Sequence, residues 1–338
     1  MVSKRRNLSI LGIVAVAIST LIAFLFNPFR SMSSVKKVGS FPIYSMTYYG
    51  NIYEHLRFVV PQSEEDIKKM SGFSPAGLLE NQACTVFSAT GGENMIYGRN
   101  RDLYDKNLAL LLYTDPPGGY KSISVVDISQ LGLKLEMGQD KVPWGQRILL
   151  LVAPIIPSEG INEYGVTIAK ADSPSDDLRP YDPSKESLLF RTAMRVVLDH
   201  AKSTHEAIEI LDQYNIAFGP TGGHFLIADP SGDSAIVEFF DNQMIVIRSP
   251  EPWLVMTNFN IGSLSENEEP VCERYIRTED TLKGVQGQVS PQEAMDILEQ
   301  ASIPETLWSI VFNLSDISMD IALYRQYDEI LQVSLADW

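Results

Sequence analysis

Apolar and polar positions alternate with a period of two in several short runs along the chain. ACTVFSAT and NMIYGRNRDLY are two such runs, and the Gly-Gly-Glu at 91–93 between them is typical of a tight turn, so we expect a β-hairpin. HFLIAD, SAIVEFF and QMIVIRS follow one another across short turns rich in Asp, Asn and Gly. These three runs predict an antiparallel meander, and WLVMTNF is predicted to extend it by one more strand.

Other segments have apolar residues at helical spacing. SLLFRTAMRVVLDHA and THEAIEILDQY predict two consecutive helices. The Ser-Pro-Gln-Glu at 290–293 is a capping box with proline at the first helical position, and it predicts a helix over AMDILEQA. Clusters of strands around helical hairpins predict an α+β layered sandwich rather than a doubly wound sheet.

The first residues follow a different pattern. Residues 8–26 are apolar and uncharged, and three basic residues at 4–6 precede them. Nineteen helical residues span about 28 Å, close to the hydrocarbon thickness of a bilayer, and the exit at 26–29 lacks the small residues of a cleavage site. We therefore expect a single-pass signal anchor over 8–26 after a cytoplasmic tail of residues 1–7. The leading basic cluster favours a body on the extracytoplasmic side of the membrane.

Residues 27–83 separate this predicted anchor from the first segment with a clear strand pattern. Within them, residues 31–40 have the small, polar and basic composition of a linker.

The chain carries a net charge of −16, and residues 1–37 contain basic residues but no acid. An acidic body lacks the basic face that releases counterions from phosphate, which argues against a nucleic-acid partner.

The sequence does not predict a metal or cofactor site. Its two cysteines are too few for a cysteine-based metal cluster or a disulfide framework. His200 and His205 are five residues apart, whereas a helical metal pair needs a spacing of four. GPTGGHF does not end in the Gly-Lys-Ser/Thr of a phosphate loop, and no G-x-S-x-G motif occurs.

Cys84 begins the first strand of the predicted hairpin, and Arg99 and Asp102 follow on the second strand. A cation beside a thiol lowers its pKa, and the thiolate is the nucleophile, whereas a carboxylate alone would suppress reactivity. For the thiol to react beside Asp102, a cation must lie between the carboxylate and the sulfur. Either Arg99 or a free α-amino group on Cys84 could supply it. An α-amine has a pKa of about 8, which suits a base that takes the proton of the thiol.

The Cys-Thr at 84–85, followed by Gly-Arg-Asn-x-Asp at 98–102, resembles the cysteine N-terminal-nucleophile (Ntn) hydrolases that act on linear amides. This choloylglycine hydrolase and penicillin V acylase group includes acid ceramidase and N-acylethanolamine acid amidase. The resemblance extends over roughly residues 84–277. It implies an αββα four-layer sandwich for a catalytic domain at 84–338, and activation by cleavage immediately before Cys84, which makes 27–83 a linker and propeptide.

The resemblance also implies a role for each of several residues. It implies Cys84 as nucleophile with its own amine as base, Arg99 beside the sulfur, Asp102 holding the amine, Asn258 donating to the oxyanion, and Arg274 organising the site, with Arg277 as its rival.

Asp172 departs from the pattern of the bile-salt enzymes, which resemble one another in having asparagine at this position of the oxyanion or substrate pocket. An ionised carboxylate cannot donate to an oxyanion. Either Asp172 is protonated, or a backbone N–H does this work, or Asp172 has a positioning role. The departure argues against bile-salt specificity.

The sequence thus leaves several functions to be distinguished. The favoured one is a self-processing amidohydrolase that cleaves a small N-acyl amide through a Cys84 thioester, with fatty-acyl amides ahead of bile conjugates and penicillins as substrates. An acyltransferase on the same site and a non-catalytic, membrane-tethered binding module are alternatives, and a Cys–His protease using His224 is a weaker one. A Cys84–Cys272 disulfide would remove the nucleophile. The oligomeric state stays open.

Overall fold

The computed structural model describes residues 26–52, 83–103, 108–133, 135, 139–174, 182–218, 222–240, 243–264, 270 and 272–338. The predicted membrane span lies outside these ranges, except for its last residue, Phe26. Within the described ranges, no helix combines the length and the apolar character needed to cross a membrane.

The described strands lie throughout the chain. In chain order they are β1 (Lys36–Lys37), β2 (Ile43–Tyr48), β3 (Cys84–Ala89), β4 (Ile96–Asp102), β5 (Ala109–Thr114), β6 (Ser122–Asp127), β7 (Glu159–Asn162), β8 (Thr167–Ser173), β9 (Ser187–Leu189), β10 (Asn215–Ala217), β11 (Gly222–Ala228), β12 (Ser234–Phe240), β13 (Gln243–Ile247), β14 (Trp253–Met256), β15 (Thr306–Asn313), β16 (Ser318–Leu323) and β17 (Ile330–Ser334).

These strands form two large sheets. One has nine strands in the order β1-β2-β5-β6-β7-β8-β11-β12-β13, and the other has six in the order β14-β3-β4-β15-β16-β17. The six-stranded sheet is antiparallel throughout, whereas in the nine-stranded sheet β2 and β5 are parallel. A small parallel pair, β9 and β10, lies apart from both.

Helices cover the outer faces of both sheets. The helices whose two ends are described are α1 (Trp144–Arg147), α2 (Phe190–His200), α3 (Thr204–Asp212), α4 (Glu273–Gly284) and α5 (Pro291–Gln300). Residues 26–34 are also helical, and a 3₁₀ helix over Ile148–Ile155 follows α1 directly. Helices α2 and α3 pack on the nine-stranded sheet, and α4 and α5 pack on the six-stranded sheet. The capping box at 290–293 forms as predicted at the start of α5.

The largest core lies between the two sheets. It contains Ile123 and Leu226 from the nine-stranded sheet together with Val86 and Ile310 from the six-stranded one, all fully buried. The layers therefore follow the αββα order that the resemblance implied, and the α+β class is confirmed.

Two predictions of secondary structure need correction. WLVMTNF does not extend the meander of β11, β12 and β13, because β14 joins the other sheet beside β3. The segment predicted as a helix from residue 187 begins with β9, and its helix begins at Phe190. In both cases tertiary pairing determines the outcome, which local periodicity does not contain.

The linker prediction for residues 31–40 is wrong. Residues 26–34 are helical, and Ser31 is fully buried. Its hydroxyl accepts from Tyr49 N at 2.8 Å, while Ser34 Oγ accepts from Thr47 N at 3.0 Å. The small hydroxyl residues that resemble a linker thus tie this helix to the segment around β2, and the nine-stranded sheet contains strands from both sides of residue 84.

Candidate active site

The β3–β4 hairpin determines which side chains share a face with Cys84. Cys84 pairs with Arg101, and Val86 pairs with Arg99. Because side chains alternate along a strand, Cys84, Arg99 and Arg101 all point to the face between the sheets. Arg99 Nη2 lies 3.8 Å from Cys84 Sγ, and both residues are fully buried. The predicted cation beside the sulfur is therefore in place.

Arg99 is fixed by the Lys170 carbonyl and by the Glu159 carboxylate. Nη1 donates to the carbonyl of Lys170 at 2.8 Å, and Nε forms a close ion pair with Glu159. Glu159 Oε1 also accepts from Trp308 Nε1 at 2.8 Å. Burial alone would lower the pKa of Arg99, but Glu159, Cys84, Tyr97 and Asp102 together outweigh it and raise that pKa above the ordinary arginine value. A permanent positive charge thus faces the sulfur from a rigid support.

Asp102 lies near Cys84 but on the opposite face of β4 from Arg99. Its Oδ1 accepts from Thr306 Oγ1 at 2.6 Å, and Oδ2 lies 3.9 Å from Arg274 Nη1. Burial raises the pKa of Asp102 to about 6, although the Thr306 hydrogen bond and the Arg274 charge oppose the rise. The nearest cation to this carboxylate is therefore Arg274, a partner that the hairpin argument did not contain.

Arg274 and Asn258 surround the backbone of Cys84. Asn258 Oδ1 accepts from Cys84 N at 2.7 Å and from Arg274 Nη2 at 3.1 Å. Arg274 Nη1 donates to the Cys84 carbonyl at 2.5 Å and to Thr85 Oγ1 at 3.0 Å. Its rival Arg277 is exposed and donates to the carbonyl of Gln300 at 2.6 Å, away from these groups.

The peptide bond before Cys84 is also engaged. The carbonyl of Ala83 accepts a hydrogen bond from Asp102 N at 3.1 Å. This carbonyl carbon is the atom that a nucleophile would attack in cutting the chain before Cys84, and a donor on its oxygen stabilises the charge that develops there.

Asp172 lies at the end of β8, next to the same groups. Its side chain forms a close contact with Lys170 Nζ, and its backbone carbonyl accepts from Asn258 Nδ2 at 3.0 Å. The Asn258 amide is thus held by the backbone of Asp172, while the Asp172 carboxylate pairs with Lys170. Burial lowers the pKa of Lys170 well below its ordinary value.

His224 has no free ring nitrogen for a Cys–His pair. Its Nδ1 lies 3.0 Å from Glu238 Oε1, and its Nε2 lies 2.7 Å from the carbonyl of Thr257. Glu238 also accepts from the backbone N–H groups of Ile261 and Gly262 at 2.8 and 2.9 Å. This buried pair supports both sides of the loop that carries Asn258, which is a structural role.

Two further features bear on the chemistry of this site, the state of the cysteines and the grouping of metal-ligating side chains. Cys84 and Cys272 are both free, so no disulfide removes the thiol. Among the described residues, no group of three or more His, Cys, Asp or Glu side chains has the arrangement of a metal site.

Sequence reasoning missed Arg101 and Lys170. Arg101 lies directly opposite Cys84, is almost fully buried and approaches Asp127 at 3.7 Å. The signal was available, since positions 99 and 101 share a face of β4 and positions 170 and 172 share a face of β8. Buried charges at alternate positions of a strand mark a polar site between the sheets.

Comparisons with known proteins agree with this fold. A family model described as "Acyl-coenzyme A:6-aminopenicillanic acid acyl-transferase" matches residues 156–325, half of the chain. The structure of penicillin V acylase from Agrobacterium tumefaciens is similar with a TM-score of 0.52 at 15% identity, over 75% of this chain and 86% of that one. A variant of conjugated bile acid hydrolase from Clostridium perfringens gives 0.53 at 15% identity, over 75% and 93%. No curated protein matches the chain.

Proposed function

Since the chain belongs to the acyl-coenzyme A:6-aminopenicillanic acid acyl-transferase family, within the cysteine Ntn hydrolases that its sequence resembles, we propose that it hydrolyses the C–N bond of a linear N-acyl amide with Cys84 as the nucleophile. One observation carries the proposal. Arg99 faces the Cys84 sulfur at 3.8 Å, while Asn258 and Arg274 hold the nitrogen and carbonyl of the same residue.

The first step is cleavage of the chain before Cys84. The thiolate attacks the Ala83 carbonyl, whose oxygen accepts from Asp102 N. The C–N bond breaks as the Cys84 nitrogen takes a proton, and a thioester joins Ala83 to the sulfur. Water then hydrolyses this thioester, which returns the thiol and leaves Cys84 with a free α-amine.

In turnover the same residue supplies nucleophile and base. The α-amine takes the thiol proton, the sulfur attacks the substrate carbonyl, and the amine returns the proton to the leaving nitrogen. Water releases the acyl group from the thioester. Asp102 would hold the ammonium form of this amine, and Asn258 Nδ2 would donate to the oxyanion, where one donor contributes about 10²–10³ in rate.

We propose an apolar acyl chain on the substrate, with fatty-acyl amides ahead of bile conjugates and penicillins. Asp172 supports this order, because its carboxylate contacts Lys170 instead of offering the donor expected in bile-salt enzymes. The apolar run at 8–26 supports a single-pass membrane protein, and the basic residues at 4–6 before it favour an active site outside the cytoplasm.

The test is N-terminal sequencing and intact-mass analysis of the purified full chain, beside Cys84→Ala and the matched control Cys272→Ala. We expect a fragment that starts at Cys84 in the wild type and in Cys272→Ala, and an intact chain in Cys84→Ala. Hydrolysis of a fatty-acyl amide should appear only in the two cleaved proteins. A hydrolytically active protein with an unbroken chain through residue 84 would contradict the mechanism.

Acyl transfer is a second candidate, because the family description names an acyltransferase. In that reaction an amine rather than water would attack the thioester. Product analysis with and without an added amine acceptor distinguishes the two reactions, since transfer yields a new amide at the expense of the free acid. A chain that is neither cleaved nor active would instead favour the tethered binding module.

A further inference from the structure

Large apolar side chains are exposed together where residues 26–34 meet the segment that follows Val142. Among the described residues, six of the nine exposed large hydrophobic side chains lie here. This apolar patch consists of Phe26, Phe29, Trp144, Ile148, Leu149 and Val152. The rings of Phe29 and Trp144 are 5.3 Å apart, and Arg147 Nη1 donates to the carbonyl of Met32 at 2.7 Å. The two segments therefore form one surface.

The segment Ile148–Ile155 is apolar on every side but uses only one side in the core. Leu150 and Ala153 are fully buried, whereas Ile148 is 59% exposed and Val152 is 45% exposed. A helix that is apolar all round is ordinarily buried in a protein core or in a membrane. The outward face of this segment has no such cover among the described residues, so it is suited to an apolar environment outside the protein.

Basic side chains border the apolar patch, although the protein as a whole is acidic. Arg30 is exposed next to Phe29, and the guanidinium of Arg147 lies 5.5 Å from the ring of Trp144. Lys141 is exposed shortly before Trp144. Tryptophan with arginine and lysine is the composition typical of a membrane interface, and the cations favour anionic headgroups.

The run of apolar residues predicted to span a membrane ends where the apolar patch begins. Phe26 is the last residue of that run, and the helix over 26–34 follows without a linker. A membrane span over 8–26 would place this helix at the surface of the same bilayer. The whole apolar patch would then lie there too.

We propose that the apolar patch seats the folded body on a lipid bilayer that contains anionic lipids, in addition to any tether through residues 8–26. A tether alone would let the body move freely, whereas a seated patch fixes its orientation relative to the lipids. The proposal rests on exposure, charge and chain continuity, and it is independent of the proposed amide hydrolysis.

The test measures the tryptophan fluorescence of the full chain in vesicles of phosphatidylcholine and phosphatidylglycerol, with ordinary or brominated acyl chains. Bromine quenches only rings that enter the lipid. Of the other three tryptophans, Trp253 and Trp308 are buried in the protein, and Trp338 is half-buried and stacked on Tyr113. We expect quenching by brominated lipid in the wild type and loss of at least about half of it in Trp144→Phe. Equal quenching in both proteins would overturn the proposal, because a tether would then suffice to explain membrane binding.

A second pair of variants separates seating from folding. Ile148→Ser/Val152→Ser removes two side chains of the apolar patch, and Ile276→Ser/Val285→Ser removes two similarly exposed side chains around α4. The first pair should weaken Trp144 quenching while the protein stays on the vesicles and keeps its unfolding midpoint, and the control pair should change neither. Unquenched Trp144 together with cross-linked dimers through the patch would assign the surface to a second copy and overturn the proposal.

Discussion

The two sides of Cys84 are built in different ways. Its sulfur faces the space between the sheets, where the ion pair of Arg99 and Glu159 is fully buried. Its backbone nitrogen and carbonyl instead meet the partly exposed side chains of Asn258 and Arg274 through hydrogen bonds. A fixed charge suits the sulfur, because Cys84 carries the same thiol before and after the chain is cut. Hydrogen bonds that can rearrange suit a nitrogen that changes from amide to amine when the chain is cut.

Removing the buried charge beside the sulfur should have the largest effect. Arg99→Met leaves the Glu159 carboxylate buried without its cation, and such a loss lowers the free energy of unfolding by about 3–5 kcal/mol. The measurement is urea denaturation in a Cys84→Ala background, which keeps the chain intact. Adding Glu159→Gln should restore much of the stability, because the amide oxygen can still accept from Trp308. An Arg99→Met protein as stable as its parent would show that the Arg99–Glu159 ion pair does not stabilise the sulfur side of Cys84.

On the nitrogen side, Asn258 has two functions that substitutions can separate. Asn258→Asp keeps an oxygen that accepts from Cys84 N but loses the Nδ2 donor, so kcat of the cleaved enzyme should fall by about 10²–10³. Asn258→Ala loses both functions and should also slow cleavage before Cys84. The two rates are measured by product formation at saturating substrate and by intact mass over time. A kcat for Asn258→Asp within tenfold of wild type would exclude the amide as the oxyanion donor.

Asp102 should make the stability of the uncut chain depend on pH. Burial raises the pKa of Asp102 from an ordinary 3.8 to about 6, so the folded chain favours the protonated carboxyl. Its contribution to the free energy of unfolding is therefore fully present below pH 4 and is lost, by at most about 3 kcal/mol, as the pH rises through 6.

The measurement is urea denaturation of Cys84→Ala at pH values between 4 and 7, with and without Asp102→Asn. The substitution should flatten the decline, because an amide does not ionise. Parallel curves for the two proteins would mean that other groups cause the pH dependence.

The smallest effect is expected for Arg277, which lies on the same helix as Arg274. Arg277→Gln removes an exposed hydrogen bond to Gln300 and should cost no more than about 1 kcal/mol, with cleavage unchanged. Arg274→Gln removes the donors to the Cys84 carbonyl and should slow cleavage. Slower cleavage in Arg277→Gln than in Arg274→Gln would reverse the assignment of these two arginines.

The sequence predicts the hairpin and the pairing of Cys84 with a cation because both follow from local rules. A period of two and a glycine turn place β3 against β4, and the spacing from Cys84 to Arg99 then follows. The capping box of α5 is similarly local, since its hydrogen bonds connect residues three apart.

What the sequence does not predict depends on contacts between distant segments. Nothing within WLVM distinguishes a fourth strand of the meander from an edge strand beside β3, since either sheet would bury the same apolar side chains. Likewise, Ser31 and Ser34 have the composition of a linker until Tyr49 and Thr47 supply their partners. Resemblance to the family gave Arg274 and Asn258, but only the fold brings them to Cys84.

Strand β2 lies upstream of Cys84, yet it pairs with β5 along its full length, from Ile43 opposite Ala109 to Tyr48 opposite Thr114. Met46 on this strand is fully buried. Cutting the chain before residue 84 breaks none of these pairings. The cleaved enzyme would therefore remain a non-covalent complex of two fragments, which denaturant would separate but dilution would not. If residues 8–26 anchor the chain in a membrane, both fragments would then stay attached to it. Cleavage before Cys84 would change the chemistry of the enzyme but not its location.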